Sequence, residues 1–126
     1  MKRVLVLFVA ISILLMSSAV SFAQRVDVGI VLPTKDEPRW LQDVARFEDV
    51  IASTPYSVEV LFSQGSSAAE KTNVETLIAK GAKVIIICAH DAAAAGIAVE
   101  NAKAEGITVI SYDRLITGTD AIDYYV

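Results

Sequence analysis

Arg39, Trp40, Asp91, Asp113 and Arg114, with Lys35 beside them, are the residues whose chemistry stands out in this chain. A carboxylate accepts hydrogen bonds from two neighbouring hydroxyls, and a guanidinium donates to two oxygens in fixed geometry. The adjacent pair Asp113-Arg114 supplies both. Trp40 offers a flat apolar face on which the C–H face of a sugar ring can lie, and Lys35 adds a donor. Together they suit a small polyhydroxylated molecule, held without bond making. Plainer readings stand beside this one: a local ion pair for Asp113-Arg114, a helix N-cap for Asp91, and a core position on the first helix for Trp40.

The elements that must position these residues follow from periodicity. A short apolar strand over residues 26–32 leads into the loop Pro33-Thr34-Lys35-Asp36-Glu37. A helix over about residues 38–52 follows, with Leu41, Val44, Phe47 and Ile51 at helical spacing. Residues 57–62 read as a second strand. The spacing Ser67-x-x-Glu70 fits a capping box at the start of a second helix that stops at Gly81. Residues 84–88 form a continuous apolar run, which suits a strand buried on both faces. Asp91 caps an Ala-rich third helix over roughly residues 92–105, residues 107–112 are the fourth strand, and residues 123–126 begin a fifth.

This alternation predicts an α/β fold, a parallel sheet flanked by helices. In such a sheet every strand ends on the same edge, where ligands bind. Lys35, Arg39 and Trp40 follow strand one. Ser63 and Gln64 follow strand two, His90 and Asp91 strand three, and Asp113 and Arg114 strand four. Four polar strand ends on one edge point to a ligand site more strongly than any one of them.

Enzymatic readings have less support. His90 is the only histidine and has no Cys, His or acidic partner at ligand spacing, so no metal is expected. Ser63, Ser66 and Ser67 look like turn and cap residues. The loop after strand one carries no glycine, which disfavours phosphate cradling and nucleotide cofactors; no cofactor is expected. A secreted α/β hydrolase using Asp91 and Asp113 as acid and base remains the alternative of a different class.

The N-terminus is expected to be a secretory signal peptide over residues 1–23. Lys2 and Arg3 precede an apolar stretch from 4 to 16, and Ser21 and Ala23 suit a cleavage site. The stretch is short for a membrane span, so no stable membrane insertion is expected after cleavage. It also contributes to the positive mean hydropathy of +0.51. Without Lys2 and Arg3 the chain keeps 9 basic against 15 acidic residues, a net charge near −6. That balance argues against nucleic acid and against anionic membrane surfaces. The single Cys88 has no partner for an intramolecular disulfide and is expected to be buried. The chain stops within an apolar segment, Tyr124-Tyr125-Val126, as an interrupted chain would.

The runs VGIVLPTKDEPRW and AKGAKVIIICAHDAAAAGIAVENAKAEGITVISYDRLI, with the terminal DYYV, resemble the N-terminal lobe of bacterial periplasmic sugar-binding proteins. The likeness is greatest to xylose- and multiple-sugar-binding members of the ribose/galactose/xylose group. It implies a Rossmann/flavodoxin-like lobe of a type I periplasmic binding protein over residues 24–126, with the second lobe and the hinge lacking. It further implies a monosaccharide ligand, an aldose such as D-xylose, bound in the periplasm. The loaded protein would dock on an ABC importer permease or a membrane sensor. Carried over by position, the sugar contacts are Arg39, Trp40, Asp91, Asp113 and Arg114, with Lys35 less directly. A sensing module that acts through a partner chain, or a fragment without function, are the alternatives.

Overall fold

The computed structural model describes residues 25–126, so the expected signal peptide lies outside the described residues. Five strands alternate with three helices: β1 (Val28–Leu32), α1 (Pro38–Ile51), β2 (Val58–Phe62), α2 (Ser67–Ala79), β3 (Val84–Ile87), α3 (Ala94–Ala104), β4 (Thr108–Ser111) and β5 (Tyr124–Tyr125). All neighbouring strands pair in parallel, in the order β2-β1-β3-β4-β5. The expected α/β architecture is therefore observed.

Helices cover both faces. On one, Val74 and Leu77 of α2 and Ala95, Ala98, Val99 and Ala102 of α3 pack with Val31, Ile85, Ile87 and Val109. Gly29 on the interior strand β1 lets α2 approach: a Cβ there would stand 2.5 Å from Leu77 Cδ1. On the other face α1 alone packs, through Trp40, Val44 and Phe47, against Ile30, Leu32 and Cys88.

That asymmetry corrects the expectation for strand three. Ile85 and Ile87 are fully buried, whereas Val84 and Ile86 are only half-buried, because a single helix covers their side. The phase of α1 also differs from expectation. Trp40 is 1% exposed and Leu41 49%, so the buried stripe runs through Trp40 and Asp43 rather than through Leu41.

The start of α2 is capped by Ser66, whose hydroxyl accepts from the Ala69 N–H at 3.3 Å. The expected box from Ser67 to Glu70 does not form. The Glu70 carboxylate is buried and accepts the His90 N–H at 2.7 Å instead, bracing the loop after β3. Cys88 is buried as expected, and desolvation pushes its thiol up to about 11.

Candidate functional site

The chain turns in opposite directions from β1 and β3. The connection from β1 runs through α1 on one face, and the connection from β3 runs through α3 on the other. A crevice opens at such a switch point, outside the carboxyl ends of the strands. There the structure has an open cleft of about 430 Å³, lined by Thr34, Asp36, Glu37, Gln64, His90 and Arg114, with Pro33 and Gly65 between them.

Its walls are fixed by hydrogen bonds from backbone N–H groups. The Lys35 N–H donates to Gln64 Oε1 and the Gly65 N–H to the Pro33 carbonyl, which clamps the β1–α1 loop onto the β2–α2 turn. Thr34 Oγ1 accepts from the Asp36 N–H and tightens the loop further. Pro38 then opens α1 at a position where a missing N–H costs nothing.

The opposite wall is the turn after β4. Asp113 has φ 61°, in the left-handed region, and the Arg114 N–H donates back to the Tyr112 carbonyl at 2.6 Å. The chain thus makes a tight three-residue turn of the kind that is rare and strained. Several bonds hold it. Ser111, fully buried, donates its hydroxyl to the Arg114 carbonyl at 2.7 Å and accepts the Ile116 N–H at 3.0 Å. The Asp113 N–H donates to the Val126 carbonyl, and the Tyr125 hydroxyl donates to the Asp113 carbonyl.

The arginines meet over the indole. The guanidinium carbon of Arg39 lies 4.6 Å from the Trp40 ring centre and that of Arg114 lies 5.6 Å away. Arg114 also donates to the Ala89 carbonyl at 3.1 Å, and Arg39 is ion-paired with Asp113. Trp40 is therefore a floor beneath two cations. It is 1% exposed, with both guanidiniums against its ring.

Asp91 and Lys35 are engaged within the chain. Asp91 is exposed, and its Oδ1 accepts the Ala93 and Ala94 N–H groups at 3.0 and 2.7 Å, so it caps the turn that opens α3, which itself begins only at Ala94. Lys35 lies over the Phe62 ring at 4.9 Å, and the cleft wall is made without its side chain. Asp113 does not pair with its neighbour Arg114 but with Arg39, so the local ion pair is absent as well.

Sequence reasoning missed Asp43. It is 6% exposed on α1 and accepts from the Tyr112 hydroxyl at 3.1 Å and from Arg46 Nη1 at 3.1 Å, with Arg39 Nε at 3.7 Å. Burial, then the bond to this carboxylate, raise the Tyr112 pKa. The available signal was its spacing, four residues after Arg39 and three before Arg46.

The profile of the periplasmic binding protein domain matches residues 28–126, which is nearly all that the structure describes. The chain belongs to that family. Among curated relatives, the multiple sugar-binding periplasmic protein of Azospirillum brasilense is 34% identical over 98 residues, 78% of this chain and 28% of its own. The D-xylose-binding periplasmic protein of Escherichia coli is 29% identical over 113 residues, 90% of this chain and 34% of its own. Among solved structures, a carbohydrate transporter solute binding protein from Chloroflexus aurantiacus in complex with D-glucose superposes with a TM-score of 0.76 at 66% identity. That match covers 82% of this chain and 30% of the other. This periplasmic binding protein domain thus spans about a third of the length of its relatives, and its sheet is the lobe architecture of the type I group. Within it, Arg114 lines the cleft, and Arg39, Asp113 and Trp40 adjoin it, Arg39 paired with Asp113 and both arginines against the Trp40 ring.

Proposed function

We propose that this lobe forms one wall of a monosaccharide site in a periplasmic solute-binding protein of an ABC-type sugar importer. One observation carries the reading furthest. The cleft at the switch point is faced by Arg114, a guanidinium already aimed by the Ala89 carbonyl and the Trp40 ring, next to the strained Asp113. Preorganised donors and acceptors of this kind hold sugar hydroxyls without paying to be ordered on binding. The D-glucose complex of the 66% identical neighbour supports an aldose.

In this reading Arg114 and Asp113 contact the sugar, and Arg39 fixes Asp113 and offers its exposed edge. Asp91 contributes the carboxylate oxygen left after capping, Lys35 stands at the rim, and Trp40 supports the arginines. No bond is made or broken, and the polypeptide reaches the periplasm through its N-terminal signal peptide. Sensing through a membrane partner is a second reading, supported by likeness to the multiple sugar-binding periplasmic receptor of Rhizobium radiobacter, 32% identical over 103 residues.

The test is an NMR titration of the ligand-free chain with D-glucose and D-xylose. Amide shifts at Thr34, Gln64, His90, Asp91, Asp113 and Arg114 are expected, with the sugar recovered unchanged. Arg114→Ala should weaken binding by at least about 1 kcal/mol, the scale of a charged hydrogen bond. Unperturbed amides at high sugar concentration, or equal affinity in the variant, would remove the assignment.

A further inference from the structure

We propose that Asp43 is the positioning residue of the sugar site: one buried carboxylate that sets the direction of Asp113 without touching the ligand. This deepens, and rests on, the sugar-binding reading. The geometry grips the Asp113 turn from two sides. Asp43 Oδ2 accepts from the hydroxyl of Tyr112, the residue immediately before Asp113. The same oxygen lies 3.7 Å from Nε of Arg39, whose Nη2 is ion-paired with Asp113 Oδ1.

The arrangement has a cost that a purely structural site would avoid. Asp43 is 6% exposed, and a buried carboxylate is tolerated only when its oxygens are satisfied by cations or hydroxyls. Here Arg46 takes Oδ1, while Tyr112 and Arg39 share Oδ2. An apolar residue at this position, on the buried stripe of α1, would fill the space beside Phe47 and Tyr112 without needing any of them. What only the carboxylate supplies is orientation. Its charge stands 3.7 Å from the Nε edge of Arg39, whose Nη2 end meets Asp113, and it anchors by a hydrogen bond the ring that precedes the strained peptide. One oxygen of Asp113 is then engaged by Arg39 and the other is directed by a fixed turn.

The test has a ligand-free arm and a sugar arm. Without sugar, Asp43→Asn is expected to move the side-chain carboxyl carbon resonance of Asp113 and to speed solvent exchange of the Arg39 Nε–H. An unchanged Asp113 resonance with unchanged exchange would overturn the proposal. With D-glucose, Asp43→Asn is expected to bind about tenfold more weakly, and to add nothing in an Asp113→Asn background, since the effect runs through Asp113. Equal losses in both backgrounds would mark Asp43 as merely structural. Tyr112→Phe repeats the test without disturbing a buried charge, since its ring keeps the edge-on contact with Phe47 at 5.4 Å. A wild-type chain that binds no sugar would sink the sugar reading alone, and the ligand-free spectra would still decide the positioning role.

Discussion

Arg39 and Asp113, 74 residues apart in sequence, are joined by an ion pair that ties the first helix to the turn after the fourth strand. The Arg39 side chain is 53% exposed and that of Asp113 is 28% exposed, so the pair adds little to stability. Its effect is positional. It commits one oxygen of Asp113 and leaves Arg114 free to face the cleft.

Asp113 therefore carries two separable burdens, a charge and a positive φ. Asp113→Asn is expected to keep stability within about 1 kcal/mol, because Asn also tolerates the left-handed region. Its sugar affinity should fall at least about tenfold. Asp113→Val should lose both, with stability lower by about 1–3 kcal/mol from backbone strain. Thermal melts beside titrations check this; parallel losses in the Asn variant would contradict it.

Glu70 predicts a pH dependence. Burial raises its pKa above the ordinary 4.5, the His90 N–H opposing the shift. The folded state then holds a proton that the unfolded state releases. The contribution is fully present below the unfolded pKa and is lost as pH rises through the folded one. Glu70→Gln should remove this falling limb from a plot of unfolding free energy against pH above 4.5. A limb that survives the substitution assigns it to another group.

Asp27 acts in the opposite sense. Hydrogen bonds from Lys83 and Ser57 hold its carboxyl down at about 2. Its contribution is present above the ordinary value of 3.8 and is lost as pH falls through the folded value. In Asp27→Asn, acid unfolding between pH 4 and 2 should become shallower by about one proton, as measured by circular dichroism.

Gly29→Ala should be destabilising by about 1–3 kcal/mol, the usual cost of overpacking. The new methyl would meet three Leu77 side-chain carbons at 2.5, 2.8 and 2.9 Å. Gly29→Ala combined with Leu77→Ala should recover part of the clash cost relative to the sum of the single changes. Strict additivity in chemical denaturation would show that α2 does not press on β1 there.

Cys88, fully buried and with its thiol at about 11, should not react with a disulfide reagent at neutral pH until the chain unfolds. Rapid labelling of the native chain would place it in a more open environment.

The strand-helix alternation and the polar strand ends were legible because they depend on local period and on topology. The interior of the site was not. The stripe through Leu41 fits helical spacing as well as the stripe through Trp40 does, and the phase adopted buries Asp43. Its burial makes sense only once Tyr112, 69 residues away, is seen to donate to it. Glu70 misled for the same reason: a carboxylate at capping distance was engaged by a loop 20 residues on. Trp40 was placed at the correct edge, but which side of the arginines it would occupy depends on tertiary packing that spacing does not carry.

That placement gives the chain an internal optical reporter. There is one tryptophan in the sequence, and the guanidiniums of Arg39 and Arg114 stand over its ring. Its emission follows the charges above it, so a ligand that draws Arg114 or Arg39 outward changes the signal without any label, and a ligand bound elsewhere leaves it still.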